Sequence, residues 1–161
     1  MVRVETAQEM LEAVRGALPG ARALLMSAAV ADERPVTAVV RKLHKAELPA
    51  TLELEPTPDI LLTLRPELKG KVVLGFAAET DDVEASGRRK LEAKNLDLLF
   101  ANVVGRDRGF GAVPAEGVLL AADGCRREIP PMRKRDLADE LLDEVASRLK
   151  ALGTQDGGDR A

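Results

Sequence analysis

The chain has 161 residues, with 24 Lys plus Arg against 27 Asp plus Glu and a formal net charge of −3. Hydrophobic residues make up 45% and charged residues 32%, while aromatics are only 2%, three Phe with no Trp and no Tyr. This predicts one soluble globular domain with an aliphatic core, and excludes a base-stacking platform, which needs several exposed rings, and a non-specific nucleic-acid binder, which needs a basic surface.

In chain order, Val2–Val4 reads as a short strand, and Thr6 opens a helix with Glu9 completing a capping box. Ala7, Met10, Leu11, Val14 and Leu18 recur at helical spacing until Pro19-Gly20 ends the segment. Ala23–Ala29 is a continuous apolar run, which predicts a strand buried on both faces. Residues 31–49 are polar and mixed in charge, which predicts a long loop. Ala50–Glu55 alternates like a half-buried strand, and Thr57-Pro58 predicts the cap and first position of a short helix to about Leu64. Lys71–Ala77 and Leu96–Val104 predict two more buried strands, joined by a helix from about Asp82 to Asn95. A glycine-punctuated loop follows at Gly105–Gly111. Gly117–Ala122 and Arg126–Ile129 flank Asp123-Gly124 as a hairpin. Arg133–Leu152 predicts an amphipathic helix with Leu137, Leu141, Val145 and Leu149 on one stripe, capped by Gly153, before a disordered tail over 153–161. Buried strands alternating with helices predict an α/β domain with a mainly parallel sheet and a small antiparallel hairpin near the C-terminus.

In such sheets ligands bind beyond the carboxyl ends of the strands, and three strand ends carry candidates. Met26-Ser27-Ala28-Ala29-Val30-Ala31-Asp32 has small residues that admit a ligand to the backbone, with Asp32 as an acceptor; tight packing and a turn Asp is the plainer reading. Gly75-Phe76-Ala77-Ala78-Glu79-Thr80 places a rare Phe at a strand end, either against a flat ring or in the core. Ala101–Gly105, running on to Gly111, has glycines that suit an anion but lack the G-x-G-x-x-G pattern. Arg34, Arg41, Lys42, His44 and Lys45 make residues 31–49 a cationic loop, either a cover for a phosphate or a solvated charge run. Lys90 and Lys94 lie four apart on one helix face, which suits an anionic ligand or an ordinary helix surface. His44 is the only histidine and Cys125 the only cysteine, so neither a catalytic triad nor an intrachain disulfide can be built. No apolar run reaches the ~18 residues of a membrane span and no signal-peptide pattern opens the chain, so a cytoplasmic location is expected.

Taken in order, SAAVAD, RKLHK, PDIL, GFAAET, KLEAKNLDLLFAN and GFG resemble the phosphopantothenate–cysteine ligase (phosphopantothenoylcysteine synthetase) family over about residues 2–150. The resemblance implies a Rossmann-like fold and an acid–amino-acid ligase of coenzyme A biosynthesis, often fused to a flavin-dependent decarboxylase. The implied reaction joins 4′-phosphopantothenate to cysteine through an acyl-cytidylate, with CTP and Mg²⁺. It implies nucleotide contacts at Met26, Ser27, Ala28, Asp32, Phe76, Lys90 and Lys94, a catalytic flap lysine at Lys42, and homodimers with the 117–129 hairpin contributing. Metal ligands are not implied at any named position. The chain departs from the family pattern at Glu55-Pro56-Thr57-Pro58, where an Asn is usual. It also lacks the family's opening strand, Gly-Gly-Thr phosphate loop and Asn-x-Ser-Ser-Gly segment. Residues 1–152 are therefore expected to be a truncated CTP-binding domain that completes its site with the missing segment; a non-catalytic nucleotide-binding or dimerisation module is the alternative.

Overall fold

A computed structural model describes residues 1–37, 39, 41–47, 49–105, 111 and 113–155. The elements run α1 (Ala7–Ala17), β1 (Ala23–Met26), β2 (Glu33–Pro35), β3 (Leu54–Pro56), α2 (Ile60–Leu64), β4 (Val72–Glu79), α3 (Val83–Lys94), β5 (Leu98–Val103), β6 (Ala115–Ala121), β7 (Arg126–Met132) and α4 (Lys134–Gln155). The main sheet has the order β1-β4-β5-β6-β7. Its first three strands are parallel, and β6 and β7 pair antiparallel. The hairpin thus continues the main sheet. β2 and β3 form a separate antiparallel ribbon.

Alternation along β4 and β5 sorts the core into two layers. Val73, Ala77, Leu99 and Ala101 pack with Leu11, Ile60, Leu64 and Leu91 under α1, α2 and α3. Val72, Leu74, Leu98 and Phe100 pack with Leu137, Leu141 and Val145 under α4. One helix about 10 Å across cannot cover a five-stranded sheet roughly 19 Å wide, so the α4 face stays open beside β1. Close approach is enforced by glycine at two places. A Cβ at Gly87 would lie 2.7 Å from Leu120 Cδ1, which brings α3 onto the sheet. A Cβ at Gly117 would lie 2.1 Å from the Ala101 carbonyl oxygen, at the β-bulge between β6 and β7.

The capping box is formed as expected: Thr6 Oγ1 accepts from Glu9 N at 3.1 Å, and Glu9 Oε2 accepts from Thr6 N. Other expectations are corrected. Val2–Val4 is not a strand, because no described strand lies beside it to take its hydrogen bonds. The Ala23–Ala29 strand stops at Met26 and is only part-buried, since β1 is a sheet edge; Leu25 is 39% exposed. Residues 31–49 are not all loop, because Glu33–Pro35 pairs with Leu54–Pro56, the only part of Ala50–Glu55 and its neighbour that forms a strand. Thr57 does not cap α2. Asp59 does, through Oδ1 and Leu62 N at 3.1 Å, while Thr57 is drawn to the backbone of Ala31 and Asp32. Gly153 does not end α4, which continues to Gln155 because Gly153 keeps a negative φ. Residues 156–161 of the expected tail and 106–110 of the glycine-punctuated loop lie outside the described residues.

Candidate functional site

The carboxyl ends of β1, β4 and β5 open into two adjoining cavities. One, of about 450 Å³, faces α2 and α3 and is lined by Met26, Asp32, Asp59, Phe76, Lys90 and Lys94 among others. The other, of about 670 Å³, faces the first half of α4 and includes Ser27, Asn102, Lys134 and Leu137. Ala28, Ala29, Phe76, Ala77 and Ala78 line both. Small side chains after β1 leave the backbone accessible at the junction. Phe76 stands there 37% exposed and meets Phe100 edge-on, with ring centroids 6.2 Å apart.

The structure therefore brings together Met26, Ser27, Ala28, Asp32, Phe76, Lys90 and Lys94. Lys42 is different: it is exposed in the segment between β2 and β3 and lines neither cavity. Its neighbours are nonetheless tied together. Glu47 accepts from both terminal nitrogens of Arg41, at 2.7 and 3.1 Å, and from His44 N at 2.8 Å. The Arg41 guanidinium and the His44 amide hold the Glu47 carboxyl below its ordinary range.

The two cavity lysines each meet a carboxylate. Lys90 Nζ lies 2.6 Å from Glu79 Oε1, and Lys94 Nζ lies 3.1 Å from Asp59 Oδ2. Glu79 ends β4 on the face that carries α3, and Lys90 stands two helical turns into α3. Glu79 Oε1 is buried and takes no directed hydrogen bond among the described residues, so the ammonium is its compensation. Asn102 Oδ1 is also buried without a hydrogen bond among the described residues, at the edge of the larger cavity and in register with Ala78. A buried amide oxygen without a donor is costly, and a ligand N–H or O–H would relieve it.

Sequence reasoning gave no role to Asp59, Asn102 and Lys134, which line the cavities, or to Glu79, which lines neither but meets Lys90. Strand alternation carried one usable signal: Glu79 follows Val73, Gly75 and Ala77 onto the α3 face, where Lys90 waits. The described residues hold no group of three or more His, Cys, Asp or Glu able to cage a metal ion. No described helix is long and apolar enough to cross a membrane.

Residues 1–149 match the model of the family described as DNA/pantothenate metabolism flavoprotein C-terminal domain. The chain is 41% identical over 153 residues to the coenzyme A biosynthesis bifunctional protein CoaBC of Bacillus subtilis, covering 94% of this chain and 38% of that protein. It is 36% identical over 168 residues to CoaBC of Mycolicibacterium smegmatis, covering 98% of this chain and 40% of that one. The chain thus spans about two fifths of these curated relatives. The crystal structure of a CoaBC C-terminal domain superposes with a TM-score of 0.74 at 32% identity, over 93% of this chain and 66% of that one. A Cab2 variant in complex with phosphopantothenate-cysteine shares the fold, with a TM-score of 0.67 at 14% identity, over 97% of this chain and 54% of that one. On the family match, with the Rossmann-like sheet that agrees with it, the chain belongs to the DNA/pantothenate metabolism flavoprotein C-terminal domain family.

Proposed function

We infer that the chain carries the nucleotide side of a phosphopantothenate–cysteine ligase site in coenzyme A biosynthesis. One observation carries this reading: Asp32, Phe76, Lys90 and Lys94 converge on one cavity where small residues expose the backbone. A nucleotide requires this combination of a flat apolar surface for the base, an acceptor and cations for the phosphates.

In the proposed reaction, the 4′-phosphopantothenate carboxylate oxygen attacks the CTP α-phosphorus and expels pyrophosphate, which leaves an acyl-cytidylate. The cysteine amine then attacks the acyl carbon, loses a proton, and expels CMP. Lys90 and Lys94 neutralise phosphate charge from a rigid helix, and Lys42 brings a further cation from the β2–β3 segment. Asn102 offers its unpartnered oxygen to a donor on the ligand. Mg²⁺ belongs to this reading with CTP, whose phosphate oxygens are its natural ligands.

The same reading takes 1–152 as the ligase domain and 153–161 as its tail, in a cytoplasmic homodimer with a decarboxylase as covalent or separate neighbour. The open edge of β1 is where a further strand would extend the sheet and close the larger cavity. Calorimetry with CTP and Mg²⁺ tests the site: binding that weakens at least about tenfold in Lys90→Met or Lys94→Met is expected, and undetectable binding to the wild-type chain at millimolar CTP removes the reading.

A second reading is a nucleotide-binding or dimerisation module without catalysis. The placement of Lys42 outside both cavities favours it. Pyrophosphate release from CTP and 4′-phosphopantothenate, abolished by Lys42→Ala, would eliminate that alternative.

A further inference from the structure

The two lysines that share a helix face do not share a kind of partner. Asp59 has two tasks: Oδ1 caps α2 by accepting from Leu62 N, and Oδ2 holds Lys94. It cannot swing away without uncapping α2, so Lys94 is tethered by a carboxylate that the fold already fixes. Glu79 has no comparable task. Its side chain is 12% exposed, against 48% for Lys90, and the ammonium 2.6 Å away is the only charge partner it has among the described residues. A largely buried carboxylate needs a charge or hydrogen-bond partner to offset its lost hydration.

The geometry also sets where Lys90 points. Glu79 is fixed by strand pairing: its carbonyl accepts from Val104 N at 2.9 Å, and its Cα is in register with Val103. Lys90 lines the smaller cavity, and an ammonium has three donors. A contact to Glu79 uses one and leaves two for an anion. A free lysine on an exposed helix face samples many rotamers and loses that freedom on binding.

We propose that Glu79 is the positioning residue for Lys90, holding its ammonium at the mouth of the smaller cavity so that an anionic ligand meets it preorganised. This rests on the nucleotide reading for its ligand but on the structure alone for the Glu79–Lys90 contact. Glu79 acts through Lys90 and does not itself touch the ligand.

The test uses the full chain and three readouts. The first is the ¹H–¹⁵N spectrum of lysine ammonium groups, where an ordered ammonium gives a resolved signal. A Lys90 signal is expected in the wild type, absent in Lys90→Met and lost or broadened in Glu79→Gln. The second is calorimetry with CTP and Mg²⁺ across a double-mutant cycle. Lys90→Met should weaken binding about tenfold and Glu79→Gln about threefold. In the Lys90→Met background Glu79→Gln should add no further loss. Thermal melting separates positioning from mere support: Lys90→Met leaves a buried lone carboxylate and should melt about 5 °C lower, and adding Glu79→Gln should restore part of that. A Lys90 signal that persists in Glu79→Gln overturns the proposal, as does a Glu79→Gln loss equally large with and without Lys90. Unchanged CTP affinity in Lys90→Met sinks the nucleotide reading instead, while the ammonium spectra still report on the contact.

Discussion

At one edge of the main sheet β7 reads Arg-Arg-Glu-Ile-Pro-Pro-Met; at the other, β1 reads Ala-Leu-Leu-Met. β7 carries the usual protections of an outer strand: three charged residues, two prolines that lack the N–H for pairing, and a bulge against β6. Its charges are also engaged, Arg126 with Glu84 at 2.7 Å and Arg127 with Glu140 at 3.4 Å. β1 has none of these devices. It is four apolar residues long and, among the described strands, pairs only with β4, and Leu25 stands part-exposed on the larger cavity, across from the first half of α4. One edge is finished by its own sequence, and the other has the composition of an interior strand. The candidate site lies on the unfinished side.

The largest expected effect falls on the finished side. Gly117→Ala forces a methyl against the Ala101 carbonyl, whose backbone cannot move without breaking the β5–β6 pairing. A loss of about 2–4 kcal/mol is expected, read as a lower urea midpoint at an unchanged slope. A loss below about 1 kcal/mol would mean that the hairpin side gives easily and is no more fixed than β1.

Much of this was legible in the chain, and the illegible parts share a physical cause. The α1 capping box, the buried runs of β4 and β5 and the Asp123-Gly124 turn depend on residues close in sequence, and each formed where the pattern put it. The run Ala23–Ala29 predicts a strand buried on both faces because an apolar run reports what a strand requires, while burial depends on which neighbours arrive. Thr57-Pro58 carried a sound local cap signal that lost to Ala31 and Asp32, hydrogen-bond partners 25 or more residues away. Lys90 and Lys94 were legible as a pair through helix spacing. Their unequal partners, Glu79 and Asp59, were not, because strand register and a distant helix cap decide them.

Next in size is a change in association. The open β1 edge is expected to pair with itself at high concentration, so sedimentation velocity should show a dimer growing across a tenfold concentration range. Leu25→Lys, an inward charge of the kind that guards natural edges, should leave the chain folded and reduce that dimer several-fold. Equal association in the variant would move the contact away from β1. The complementary change is Pro130→Val with Pro131→Val, which restores two N–H groups on β7. Light scattering on warming should then rise at a lower temperature than in the wild type. An unchanged onset would assign the protection of β7 to Arg126, Arg127 and Glu128 rather than to its prolines.

The smallest effect is a pH dependence on the finished side. Asp123 sits in the β6–β7 turn, where Oδ1 accepts from Cys125 N and Oδ2 accepts from Arg148 on α4, both at 2.9 Å. The Cys125 amide first, and the Arg148 guanidinium second, hold its carboxyl below the ordinary aspartate range. A carboxyl lowered by folding stabilises the folded state fully above its unfolded value, about 3.9, and loses that contribution as pH falls through the lower folded value. The side chain is 51% exposed, so the contribution is small and screened by salt. Asp123→Asn keeps an oxygen for the Cys125 amide but removes the charge that Arg148 reads. Above pH 5 the wild type should melt slightly higher than the variant, and the two curves should converge as pH falls toward 3. Parallel curves across that range would show that Arg148 gains nothing from Asp123 and that α4 is held to the sheet by its other contacts, chiefly the packing of Leu137, Leu141 and Val145.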